Sequence, residues 1–122
     1  MIKPSKREKG RISEDIAVNF LLENGMEIIE RNFTWSGGEI DIIARDGETL
    51  VFVEVRSLSG DRVAPVETVG TQKRRKLVRS ALYYLTKEDI YGKVECRFDF
   101  LGIRMENGEP LIEHIKNAII LM

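Results

Sequence analysis

Three carboxylates, Glu39, Asp41 and Glu54, interrupt a stretch that is otherwise sticky sheet, "GGEIDIIARDGETLVFVEVRS" over residues 37–57, and a cation, Arg56, follows the last by two positions. Asp46-Gly47 is a two-residue hairpin signal, since both central positions of such a turn favour positive φ. A turn centred there pairs Ile43 with Leu50, Ile40 with Val53 and Glu39 with Glu54, and sets Asp41 diagonal to Glu54. One face then reads Ile40, Ile42 and Ala44 against Val51, Val53 and Val55, while Glu39, Asp41, Glu54 and Arg56 share the other. Like charges opposed across strands destabilise a sheet, and partial burial pushes one carboxyl toward its protonated form. A hard divalent cation, Mg²⁺ or Mn²⁺, would offset that repulsion, because such ions take carboxylate oxygens together with waters and phosphate. It would also activate a water for attack on a phosphodiester. The alternative is a set of solvated strand-end acids with Arg45, Arg56 and Lys73 as ion-pair partners.

The elements that must hold these residues follow from hydrophobic periodicity. Ile12, Ile16 and Phe20, with Ala17 and Leu21 beside them, predict a helix from Ser13 to Asn24, with Ser13 as N-cap and Asn24-Gly25 as stop. "MEIIERNF" predicts a first strand, the hairpin supplies two more, and the polar run "SLSGDRVAPVETVG" a loop. A second helix spans about Thr71 to Thr86, with Leu77, Ala81, Tyr84 and Leu85 inward. Its first turns carry Lys73, Arg74, Arg75, Lys76 and Arg79, which oppose the helix dipole and suit an anion on that face. "VECRFDFLGIRM", a turn at Asn107-Gly108 and "PLIEHIKNAII" complete the chain as two strands. The order is α-β-β-β-α-β-β, an α/β domain over residues 11–122 behind a polar, basic arm over residues 1–10.

The 122 residues suit one domain, and 43% hydrophobic content suffices for a core. A formal charge of −1 gives no broad attraction to nucleic acid, so any such attraction is local. It would come from the second helix and from Lys3, Lys6, Arg7, Lys9 and Arg11 near the start. One cysteine, Cys96, and one histidine, His114, exclude an internal disulfide and a four-ligand Cys/His zinc site. His114 sits in an apolar strand-like run and reads as a packed or edge-strand residue. No apolar run reaches a membrane span of roughly 18 residues, and the basic start lacks the apolar region of a secretory signal, so a cytoplasmic protein is expected.

Asp41 followed by Glu54-Val55-Arg56 resembles the PD-(D/E)XK nuclease signature on its strand hairpin. More narrowly, "GRISEDIAVNFLLENG", "GGEIDIIARDG", "LVFVEVRS", "RFDFLGI" and "IEHIKNAI" resemble the UPF0102 (YraN-like) family from Gly10 onward. That bacterial family is similar in fold to archaeal Holliday-junction resolvases. The resemblance implies a restriction-endonuclease-like fold with a mixed five-stranded sheet flanked by helices. It further implies a metal-dependent endonuclease acting on DNA, branched or otherwise structured. By position it makes Asp41 and Glu54 metal-binding acids and Glu14 the acid supplied from the first helix, all three meeting at one ion. Glu14 has the alternative of a first-turn acid favoured by the dipole. Glu39 becomes an outer or alternate ligand, or a structural acid. The family's usual lysine is Arg56 here, which holds phosphate but does not release its proton at neutral pH. Lys73 would then substitute for it, unless it lies on a solvated face. The departure leaves a second reading open, a non-catalytic nucleic-acid-binding protein of the same fold. A homodimer is expected by analogy with resolvases, because a junction offers two equivalent cuts.

Overall fold

Strand-forming runs of β-branched and aromatic residues between two amphipathic helices produce a layered α/β structure. A computed structural model of the protein describes residues 6–58 and 70–119. Along the chain these form α1 (Lys6–Glu23), β1 (Glu27–Trp35), β2 (Gly38–Asp46), β3 (Thr49–Leu58), α2 (Thr71–Lys87), β4 (Glu95–Glu106) and β5 (Glu109–Ile115). The strands lie in the order β1-β2-β3-β4-β5, with β3 and β4 parallel and the other neighbours antiparallel. A parallel pair needs a crossover, and α2 lies on the one between β3 and β4.

Each helix buries its apolar stripe on one face of the sheet. Leu77, Ala81, Tyr84 and Leu85 of α2 pack on Phe33, Ile40, Ile43, Phe52, Phe98 and Phe100. Ala17 and Leu21 of α1 pack on Ile42, Ala44, Val51, Val53, Leu101 and Ile103. Alternate residues of β3 serve alternate layers. Phe52 faces α2, Val53 faces α1, and the pleat turns Glu54 back toward α2.

The structure corrects several expectations. Helix α1 begins at Lys6, so residues 6–10 belong to it rather than to an arm, and residues 1–5 lie outside the described residues. Ser13 is therefore no cap. It is buried within α1, and its hydroxyl pairs with that of Ser57 on β3. In the hairpin the last pair is Asp46 with Thr49, so the turn residues are Gly47 and Glu48, and Gly47 alone among them has positive φ. Every pairing moves by two residues: Ile43 faces Phe52 and Ile42 faces Val53, so Glu39 does not stand opposite Glu54. At the other hairpin Asn107 and Gly108 occupy the turn, both with positive φ.

A second correction concerns the pleat. Ile40 and Ile42 would share a face in a regular strand, yet Ile40 lies in the α2 layer and Ile42 in the α1 layer. β1 turns over at the same level: its ladder runs Arg31–Ile42 then Phe33–Ile40, and Asn32 between them has φ 54°. Asp41 sits where the strand turns over. Finally, β5 ends at Ile115, because Asn117 takes positive φ and the chain turns back so that the Ala118 amide bonds to the Phe98 carbonyl.

Candidate functional site

The irregularity at Asp41 is what builds a site. The β2–β3 ladder ends at Ile42–Val53, and beyond it the Asp41 carboxylate takes the place of a backbone acceptor, its Oδ2 receiving the Val55 amide at 2.8 Å. Burial, then the charges of Glu39 and Glu14, raise the Asp41 carboxyl above the ordinary range against the opposing effects of the Val55 amide and Lys73. Glu54, only 5% exposed, is raised from 4.5 to about 7, first by burial and then by the charge of Asp41. Two carboxylates thus face each other's field at the mouth of the strand gap, in a setting that resists double ionisation.

Two cations answer them. Lys73 Nζ from α2 lies 3.5 Å from Glu54 Oε1, and Arg56 Nε lies 3.6 Å from the same oxygen. Arg56 Nε is buried without a hydrogen-bond partner among the described residues. The exposed amide end of α2, whose N-cap Gly70 offers no side-chain bond, adds positive potential on the same side. Of the other α2 cations, Arg75, Lys76 and Arg79 are exposed and Arg74 is half-buried.

Glu14 is held elsewhere. Its Oε1 accepts from Arg31 Nε at 2.9 Å and from Asn32 Nδ2 at 3.0 Å, on the α1 side of the sheet, whereas Glu54 turns toward α2. The expected meeting of Glu14, Asp41 and Glu54 at one point is therefore not found. Among the described residues no three His, Cys, Asp or Glu side chains are gathered as a metal-holding group. Asp41 stands between the other two. With Glu14, Glu39 and Arg11 it lines an open cleft of about 650 Å³. The side chains of Lys6, Arg7 and Lys9 lie outside the described residues.

Magnesium does not require three acids, since it keeps several waters and is held through one or two carboxylates plus substrate phosphate. The Asp41–Glu54 pair fits that donor set: both side chains offer hard oxygens, Glu54 buried and Asp41 half-buried, and they repel each other, while the present counter-charges are a flexible ammonium at 3.5 Å and a guanidinium at 3.6 Å from Glu54.

Reasoning from sequence missed Trp35. Its indole Nε1 donates to Ser80 Oγ at 2.7 Å, and its ring stacks on Tyr83 with centroids 4.5 Å apart at 14°. Two aromatic residues far apart in the chain carry no local signal of such a contact. The only hint was the pair of glycines after it. A Cβ at Gly37 would lie 2.4 Å from Trp35 Cζ2.

The model of the uncharacterised protein family UPF0102 matches residues 13–103, a span that holds Glu14, Asp41, Glu54, Arg56 and the basic face of α2. The chain belongs to that family. UPF0102 proteins of Persephonella marina, Coxiella burnetii and Clostridioides difficile are 46%, 42% and 39% identical to it. Those matches cover 93%, 88% and 93% of this chain and 94%, 88% and 98% of the relatives. Among solved structures, that of Pyrococcus furiosus SfsA in complex with Ca²⁺ aligns with 96% of this chain and 66% of its own, just under two thirds. At 15% identity and a TM-score of 0.38, that likeness bears no weight here.

Proposed function

We propose that this UPF0102 protein is a metal-dependent endonuclease acting on structured DNA. The observation that carries the reading is the pairing of half-buried Asp41 with buried Glu54 at the end of the β2–β3 ladder, with Lys73 and Arg56 within 4 Å of Glu54. Asp41 and Glu54 would hold Mg²⁺ or Mn²⁺, with Glu39 as an outer ligand and Glu14 placed to orient a water once Arg31 lets it go. The ion, when bound, supplies Lewis acidity and lowers the pKa of a coordinated water. The chain does the rest. Lys73 would meet the scissile phosphate, and Arg56 would clamp it through its fork of donors. Arg56 acts by charge alone, since a guanidinium does not serve as a general base. Arg74, Arg75, Lys76 and Arg79, with Arg11 and the basic residues before it (Lys6, Arg7, Lys9), contact flanking phosphates. Nothing in this set reads base edges, so recognition is by shape. A cytoplasmic location accords with such a substrate, and a homodimer would serve one that is cut twice.

Arg56 favours a second reading, a nucleic-acid-binding protein of the same fold without turnover. One assay separates the two. Plasmid, flap and four-way-junction DNA are incubated with the protein in Mg²⁺ or Mn²⁺, alongside Asp41→Asn and Glu54→Gln. Cleavage of at least one substrate, reduced about a hundredfold or more in both variants, is expected. Binding that survives both changes with no cleavage of any substrate overturns catalysis in favour of the binding module.

A further inference from the structure

Glu39 lines the cleft at Asp41 and also a second hollow of about 430 Å³, between the β1–β2 turn and the first turns of α2. That second hollow carries chemistry the carboxylate site does not use. Its walls include Trp35, Gly37, Gly38, Lys73 and Lys76. Beyond them along α2 come Ser80, Tyr83 and Lys87, on turns that follow Lys73 and Lys76 down one side of the helix. Tyr83 is 42% exposed although the indole covers one of its faces, so the rest of the ring is open. The aromatic pair is fixed in place. Ser80 holds the indole Nε1 while itself donating to the Lys76 carbonyl, Gly37 lies against the ring where no Cβ would fit, and Phe33 supports Tyr83 at 6.1 Å. Cations along a groove, with a rigid and partly open aromatic pair beside them, form the arrangement that holds single-stranded nucleic acid. Each base offers a π-face and each phosphate a charge. A duplex, its bases already stacked, has no use for the ring.

With the nuclease reading as premise, we propose that the Trp35–Tyr83 pair and Lys76 form a track for a single-stranded DNA arm entering or leaving the Asp41–Glu54 site, so that the substrates preferred are those with an unpaired arm beside the cut. Lys76 holds a phosphate of the arm, and a base of the arm stacks on the open part of Tyr83. Glu39, between the two hollows, separates this track from the scissile position.

Trp35 is the chain's one tryptophan, which gives a direct probe. The full chain is titrated in EDTA with a twelve-nucleotide oligothymidine, and separately with a blunt duplex of the same length, while indole fluorescence is followed. Saturable quenching by the single strand, at least tenfold tighter than by the duplex, is expected. Tyr83→Ala is expected to weaken single-strand affinity by about five- to a hundredfold, Tyr83→Phe to leave it within twofold, and Lys76→Gln to lower the salt slope by about 0.7. Equal affinity for single strand and duplex, or a Tyr83→Ala protein that binds the single strand as tightly as its parent, overturns the track. Neither result touches the nuclease reading, which stands or falls on metal-dependent cleavage lost in Asp41→Asn. Quenching by single strand in a protein that cuts nothing would in turn leave the track standing as a binding surface.

Discussion

Glu54 is the residue whose protonation the fold itself controls. The folded chain holds its proton up to about pH 7, whereas the unfolded chain releases it near 4.5. Between those values the native state binds more protons, so stability is full below the window and falls as pH rises through it, by on the order of 3 kcal/mol. Asp41, raised in the same direction, adds to the slope. Thermal unfolding in EDTA from pH 4 to 8 is therefore expected to show a declining midpoint, and Glu54→Gln to flatten that decline. Saturating Mg²⁺ is expected to restore the midpoint most at the alkaline end, since a cation binds the ionised carboxylates. Lys73→Met removes the ammonium 3.5 Å from Glu54 and should push its carboxyl above 7, readable by carbon-detected NMR titration.

At the scale of elements, the far end of the sheet depends on a buried carboxylate with no part in the proposed chemistry. Asp99 on β4 is fully buried; burial alone would raise it, but bonds from His114 on β5, from Arg97 and from the Asn117 amide hold it below the ordinary range. Arg97 also reaches Asp46 at the β2–β3 turn, so one guanidinium ties two hairpins together. His114, read from sequence as a packed or edge-strand residue, is half-buried on the edge strand β5 and lies edge-on to Phe20 of α1. Asp99→Ala leaves Arg97 and His114 facing a void and should cost about 3–5 kcal/mol in urea unfolding, with DNA binding retained in whatever fraction folds. The carboxylate's contribution is present above about pH 4 and lost as pH falls through its lowered pKa. At the opposite edge, Gly37→Ala forces the Trp35 ring away from Ser80. About 1 kcal/mol of stability should go with that bond, together with a shift in indole emission.

For the whole molecule, a net charge of −1 means that the proposed binding of DNA would have to rest on the arrangement of charge rather than its sum. The two helices cover opposite faces of the sheet, and it is α2, through Lys73, that joins Arg56 of β3 in bringing a cation to the Glu54 side of the strand gap. Among the described residues no helix is long and apolar enough to cross a membrane. The logarithm of DNA affinity should fall linearly with that of salt, and Arg75→Ala or Arg79→Ala should each reduce the slope by about 0.9, measured by fluorescence anisotropy at several salt concentrations, without altering which DNA structure is preferred.

What the sequence by itself determined was the part of the fold that local periodicity sets, together with one of its two hairpin turns. The element order, the inward face of α2 and the Asn107-Gly108 turn all follow from patterns a few residues long. The roles expected of Asp41, Glu54 and Lys73 came from the family resemblance rather than from periodicity. Only the tertiary structure decided the rest, because each remaining feature is a relation between segments. The hairpin slid by two residues, a shift that keeps alternation intact and therefore leaves no trace in the hydrophobic pattern. β1 and β2 turned over together at Asn32 and Asp41, sending one carboxylate into the gap and leaving Glu14 to Arg31. Trp35 found Tyr83 across the α2 layer, a contact made by packing and by nothing adjacent in the chain.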